Sequence, residues 1–368
     1  MNTNFRKLLA IFSLFALIAA DIPSVPAAAP NDEGSQKQDK RDGPRNRRAP
    51  GGRITRPGEH IRNHTGVRMA FTSVVRVPRQ STVAVLSNGN RIALGTIVDA
   101  NGLILTKASQ LGESTECALV DGRKFEAKVI GTHKDSDLAM LKIDVQGLEV
   151  IQWQDGDSPI VGSFLATPGT TSIPHAIGVV SNAPREIPSP PGILGILLEE
   201  DERGPRIDQV LPDSAAEKAG LRVNDIVVSV NGKDVGKRDE LIRTVQQYKA
   251  GDKLKLAILR GEERKEVPAT LGDRMNLTEE GRRGIFQNTL GGPLSKRRNG
   301  FPSAIQHDTV LKPEDCGGPI VNLDGKAIGI NIARSGRVDS LALPFSVIKP
   351  IIEELKAGKH APISVGSD

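Results

Sequence analysis

From Ser81 onward, apolar and polar positions alternate in short runs broken by turn signals. Ser81–Leu86 reads as a strand, Asn88-Gly89 as a hairpin turn and Ile92–Val98 as the return strand. Asn101-Gly102 turns the chain into Leu103–Thr106. Cys117–Val120 and Phe125–Ile130 flank Asp121-Gly122, and Leu138–Ile143 follows. Short strands at this spacing indicate a barrel or a sandwich. Val161–Ala166 and Ala176–Ser181 continue the pattern until Asn182–Pro191, whose prolines and serine mark a boundary. The rhythm then changes. Strands at Gly195–Leu198, Ile207–Leu211, Ile226–Val230 and Lys255–Leu259 are interleaved with two short helices. Ser214-Ala-Ala-Glu217 is a capping box for the first helix and Gly220 its stop, and the second runs from Asp239 to Tyr248. A charged, glycine-containing stretch leads to a last β run, Ile320–Ile332 and Leu341–Pro344, and to a closing helix near Val347–Lys356. The expected organisation is a β domain (66–150, then 151–189 and 300–357) interrupted by a small α+β module (190–272) and a linker (273–299).

Composition changes this picture mainly at the N-terminus. Arg6 and Lys7 precede an apolar run, Leu8–Ala20, and small residues follow at Ala19-Ala20 and Ala27–Ala29. This is the layout of a signal peptide over residues 1–20, and the run is short for a membrane span. Residues 21–65 are basic and rich in Gly, Pro and Gln, a composition that favours disorder. That segment is either a solvated spacer or an arm for an anionic envelope surface. The net charge is +5, and one Trp and one Tyr make a base-stacking nucleic-acid surface unlikely on composition. No His/Cys cluster has ligand spacing and no glycine-rich phosphate loop follows a strand, so neither a metal nor a cofactor is expected. Cys117 lies in an alternating stretch and reads as a small core residue.

Three segments carry chemistry. They are Gly102-Leu-Ile-Leu-Thr-Lys-Ala108-Ser109, then His133-Lys-Asp-Ser-Asp137-Leu-Ala-Met-Leu-Lys142, and finally Gln306-His307-Asp308 with Pro313-Glu-Asp-Cys316-Gly-Gly-Pro319. In order and spacing they resemble the His, Asp and Ser segments of the HtrA (Deg) family of trypsin-fold proteases. Gly329–Ala333 is similar to the strand that pairs with bound substrate in that family. The resemblance implies a mainly β protein, a trypsin-like double β-barrel, with the module inserted in the second barrel.

The catalytic carry-over is uneven. Asp137 matches, Ser109 stands at the His position and Cys316 at the Ser position. The reaction needs a base that takes the nucleophile's proton and returns it to the leaving amine, and a serine does not do this at neutral pH. His133 and His307 are the only nearby candidates in sequence for a substitute. The resemblance also implies an oxyanion hole from the backbone N–H groups of Glu314 and Cys316, with Gly317 and Gly318 leaving room for a carbonyl.

Residues 190–272 resemble a PDZ domain through Leu194-Gly195-Ile196, Pro212–Leu221 and Asn224–Gly232. A PDZ groove takes a peptide as an added strand and holds its terminal carboxylate on loop N–H groups. Leu194, Gly195 and Ile196 would form that loop, and Leu241 and Val245 would line the groove or pack in the core. The function expected is that of an exported periplasmic or envelope protein, a protease homologue impaired in catalysis that binds unfolded proteins or peptide C-termini. The alternative is an active endopeptidase with Cys316 as nucleophile. The resemblance further implies a homo-oligomer.

Overall fold

The computed structural model describes residues 64–156 and 159–362. The signal-peptide reading and nearly all of the basic segment lie outside these residues. Residues 64–81 form two short helices, α1 (Thr65–Met69) and α2 (Thr72–Val75), and a 3₁₀ turn. Among the described residues no helix is long and apolar enough to cross a membrane.

The first barrel follows from turn chemistry. Strands β1 (Thr82–Ser87) and β2 (Asn90–Asp99) are joined by Asn88 and Gly89 at φ 49° and 77°. Two successive left-handed residues make the turn whose twist matches a right-twisted hairpin. β3 (Leu103–Lys107), β4 (Glu116–Ala118), β5 (Lys124–His133) and β6 (Leu138–Ile143) complete a closed barrel in the order β1-β2-β3-β6-β5-β4. Val83, Val85, Ile97, Ile104, Leu141 and Cys117 fill its interior, so Cys117 is the core residue its alternation suggests.

The second barrel is assembled from two separated stretches. β7 (Phe164–Thr167) and β8 (Ala176–Ile187) come first. β17 (Phe301–His307), β18 (Pro319–Val321), β19 (Ala327–Arg334) and β20 (Ser340–Pro344) come after the module and close the sheet in the order β17-β20-β19-β18-β7-β8. β8 runs on through the segment expected to be a boundary, because its distal half pairs with β17, Phe301 lying opposite Ile187. The C-terminal helix α6 (Phe345–Lys356) then inserts Ile348, Ile351, Ile352 and Leu355 into a core built jointly by Leu105, Leu138 and Met140 of the first barrel and Ile330, Ile332 and Leu343 of the second. Burying each of these side chains contributes roughly 1.5–3 kcal/mol relative to exposure, which fixes the two barrels against one helix.

Between β8 and β17 lies the module. Its strands are β9 (Gly192–Ile193), β10 (Ile196–Glu199), β11 (Arg206–Val210), β12 (Ile226–Val230), β13 (Lys233–Asp234), β14 (Lys253–Arg260), β15 (Glu263–Thr270) and β16 (Gly272–Asp273). The main sheet has the order β10-β11-β12-β14-β15, so β10 is an edge strand. Two helices, α3 (Ala215–Lys218) and α4 (Arg238–Gln246), cover it. Ser214 caps α3 by accepting the Glu217 N–H at 3.1 Å, as the capping box predicts. The stretch expected to be a plain linker contains a further helix, α5 (Glu279–Thr289). It has Thr278 as N-cap but buries no residue, which is why no apolar stripe announced it.

Candidate functional site: a sealed cleft and an open strand edge

β3 ends at Lys107, and the 3₁₀ turn that follows carries Ser109. Asp137 sits in the left-handed conformation, φ 54°, at the end of the 3₁₀ turn Lys134–Ser136, a conformation that Asp tolerates better than most residues. The two loops are locked together. The Ala108 N–H donates to the Asp137 carbonyl at 2.8 Å, and the Ser109 N–H and Oγ–H donate to the two Asp137 carboxylate oxygens at 2.8 Å each. The matching positions are therefore brought together, but Ser109 turns its hydroxyl into Asp137. Where an imidazole would relay a proton from the nucleophile, the hydrogen-bond chain ends.

Lys107 was not among the residues singled out by sequence. It is fully buried, and its Nζ lies 2.8 Å from Asp137 Oδ2. It also donates to the Ile332 carbonyl at 2.6 Å and the Arg297 carbonyl at 3.0 Å. All three ammonium hydrogens are thus committed to oxygen acceptors, which leaves no lone pair to take a proton from Cys316. The only hint in sequence is a lysine at the end of an otherwise apolar strand.

Cys316 is fully buried. Burial pushes its thiol up to about 11, against the pull of Lys107, the Ser295 hydroxyl and the Arg334 backbone N–H toward lower values. Asp315 pushes in the same direction as burial. No imidazole is among these groups. His307 has its own partner, Thr309 Oγ1 at 2.5 Å, and burial drives it down to about 3. His133 accepts the Ser136 N–H through Nδ1 and faces His360. Neither sequence candidate for a substitute base is assembled with the thiol.

One donor of the expected oxyanion hole is engaged within its own turn. The Cys316 N–H donates to the Pro313 carbonyl at 3.1 Å, closing a 3₁₀ turn over Pro313–Asp315, so one of the two donors assigned to Glu314 and Cys316 points inward. The turn is held by Asp315, which accepts from Arg91 at 2.8 Å and from the Lys312 N–H at 2.9 Å.

A segment of this chain covers the sulfur. Ser295, on the strap that leads from α5 to β17, is fully buried. Its N–H donates to the Arg334 carbonyl at 3.0 Å, and its Oγ accepts the Arg334 N–H at 2.9 Å. Arg334 ends β19, the strand whose counterpart pairs with substrate in the resemblance drawn above. Two residues on, Arg297 accepts from Lys107 through its carbonyl, and its guanidinium donates to the carbonyls of Lys134, Asp135 and Gly300. The strap thereby ties both barrels together beside Cys316.

The module presents the opposite situation. Gly195 has φ 76° and its carbonyl accepts the Leu211 N–H at 2.9 Å, while the Leu194 carbonyl accepts the Ala216 N–H at 2.8 Å. In a trans peptide the N–H lies opposite the C=O. The N–H groups of Gly195 and Ile196 therefore point away from α3 and the β11 end, outward from the loop. Next to them β10 leaves one edge unpaired, with Leu197 49% exposed on it. Leu241 and Val245 are buried in the module's core with Leu194, so packing is the role the structure gives them.

The sequence profile of the PDZ domain matches residues 192–271. Over 292 residues the chain is 24% identical to a probable periplasmic serine endoprotease DegP-like of Ectopseudomonas mendocina (strain ymp), covering 56% of this chain and 61% of that protein. It is 25% identical over 354 residues to the periplasmic pH-dependent serine endoprotease DegQ of Escherichia coli (strain K12), covering 71% and 77%. The chain spans 55–61% of the length of the first curated relatives it matches. A solved serine endoprotease from Yersinia pestis aligns with TM-score 0.28 at 22% identity, over 55% of this chain and 97% of that one. Two closed barrels, the PDZ domain set into the second and these relatives all point the same way: the chain is similar to the HtrA/Deg family of periplasmic serine endoproteases.

Proposed function

We propose that this protein works in the periplasm or cell envelope as a pseudoprotease, binding unfolded or C-terminal peptides through its PDZ domain rather than cutting them. The observation that carries this reading is the state of Cys316: sealed, protonated, without a base, and beside a backbone N–H turned away from the cleft. Loss of a triad member alone typically costs several orders of magnitude in rate, and here one donor of the expected oxyanion hole is engaged within its own turn as well. The outward N–H groups of Gly195 and Ile196 beside the free edge of β10 support the binding half of the proposal.

Two measurements on the full chain test it. The protein is expected to degrade casein no faster than its Cys316→Ala variant, and robust cleavage abolished by that change would restore the endopeptidase reading. In calorimetry, peptides with a free apolar C-terminus are expected to bind at least about tenfold more tightly than their amidated forms, since the amide removes the charge-assisted hydrogen bonds. Equal affinity for the two forms would remove the carboxylate from the recognition scheme.

A further inference from the structure

One group of side chains lies outside both the cleft and the PDZ edge. His133 at the end of β5, Glu354 on α6 and His360 on the tail each offer a donor atom, and these atoms lie within 4.8 Å of one another. Their distance along the chain hides them from any reading of ligand spacing. Two glycines bring them together. Gly358, at φ 69°, ends α6 and turns the tail back. Gly131 receives the tail: a Cβ there would stand 2.8 Å from the His360 carbonyl oxygen and 2.9 Å from Leu355. His360 then sets Nε2 3.0 Å from Glu354 Oε2 and its ring edge-on to His133, with centroids 4.9 Å apart at 81°. All three residues are half-buried.

We propose that His133, Glu354 and His360 form a zinc site, with three protein ligands and water in the fourth position. Two imidazoles and a carboxylate are a donor set that zinc accepts, and among divalent ions imidazole favours the late transition metals. Tetrahedral zinc with bonds of about 2.1 Å needs donors about 3.4 Å apart, so the cluster must tighten by rotation of the Glu354 and His360 side chains. The cost falls at His133. Its Nδ1 now accepts the Ser136 N–H at 3.3 Å, a long contact that zinc would replace, or the ring turns over and offers its other nitrogen. A bound ion would tie the first barrel, α6 and the tail at one point. The bland alternative is the Glu354–His360 hydrogen bond alone, which makes no demand on His133.

The experiment uses the untagged full chain, titrated with zinc chloride in calorimetry and with cobalt(II) in visible absorption. One zinc per chain is expected, with tetrahedral cobalt bands and a thermal midpoint that rises on adding zinc. His133→Ala and His360→Ala should each weaken zinc binding at least tenfold and abolish the thermal shift, whereas His64→Ala should do neither. His360 lies beyond the last helix, so its variant keeps the test valid if His133→Ala misfolds. Absence of saturable binding, or binding unchanged in His360→Ala, would overturn the proposal and leave the hydrogen bond as the role of these residues.

Discussion

At the scale of single residues, Asp137 is held by a dense set of donors. Asp137 is 3% exposed and accepts from the Ser109 N–H, the Ser109 hydroxyl and the Lys107 ammonium. A buried carboxylate with three donors is satisfied, and removing the Lys107 ammonium would leave its charge uncompensated. Ser109, Asp137 and Cys316 were singled out because each lies in a local run of matching residues, and the structure sets Ser109 against Asp137. Lys107 and Arg334 were not, because their importance arises from burial by strands far away in sequence. His307 carries a prediction at this scale. Its folded value of about 3 lies well below the ordinary imidazole value of 6.5. The folded state therefore disfavours the proton, and stability is complete above pH 6.5 and drains away as pH falls below it. Urea unfolding should lose about 2–3 kcal/mol between pH 6.5 and 4.5 through this one group, at about 1.4 kcal/mol per unit. A His307→Asn variant should show a correspondingly flatter profile over that range, and an identical profile would dismiss the assignment.

At the scale of elements, period-two alternation and the Asn-Gly and Asp-Gly turns made both barrels readable, because one face of each strand is buried and the other is not. α5 escaped for the converse reason. It buries nothing, contains Gly281 and Gly284, and is held by its cap and surface charges. Its stability is local. A Gly284→Ala change, whose Cβ would meet only the Met275 methyl at 4.0 Å, should stabilise the helix by roughly 1 kcal/mol, slow its amide exchange and leave the global melting point unmoved. Gly317 is the contrast. It holds φ 93°, and a Cβ there would run into the Leu94 carbonyl oxygen. Gly317→Ala should cost at least about 2 kcal/mol in urea unfolding through strain and displaced backbone. A near-neutral result would show that the loop after Cys316 can relax. The same Leu94 accepts no freedom from the other side either, since its N–H donates to the Cys316 carbonyl at 2.8 Å.

For the whole molecule, the decisive fact is that the chain between the PDZ domain and β17 is hydrogen-bonded across both barrels beside Cys316. No sequence pattern revealed this, because it depends on pairs such as Ser295 with Arg334 and Arg297 with Lys107. It also changes what restoring the triad would achieve. Ser109→His with Cys316→Ser rebuilds three side chains beside this strap, with the Cys316 N–H still turned to Pro313. That double variant should stay inert toward casein. Accessibility of the thiol reads the effect of the strap directly. With Cys117→Ala as background, iodoacetamide should modify Cys316 in the folded protein at least about 10²-fold more slowly than in urea at pH 8, since a thiol moved from its ordinary value to about 11 has that much less thiolate, before any shielding is counted. Ser295→Pro, which deletes the N–H and the hydroxyl that clasp Arg334, should raise the folded-state rate at least tenfold. An unchanged rate would mean that the strap does not control access.

The pairing of β8 with β17 has a consequence for how the chain reaches its native state. Ile187 and Phe301 are partners in the sheet, yet the whole PDZ domain is synthesised between them. Joining two strands across an open loop of that length costs on the order of 4 kcal/mol in chain entropy. The PDZ domain is contiguous, so it can fold on local contacts as soon as it emerges and draw its two ends toward each other. The second barrel must wait for strands that arrive last, so the topology puts completion of the PDZ domain before closure of the second barrel.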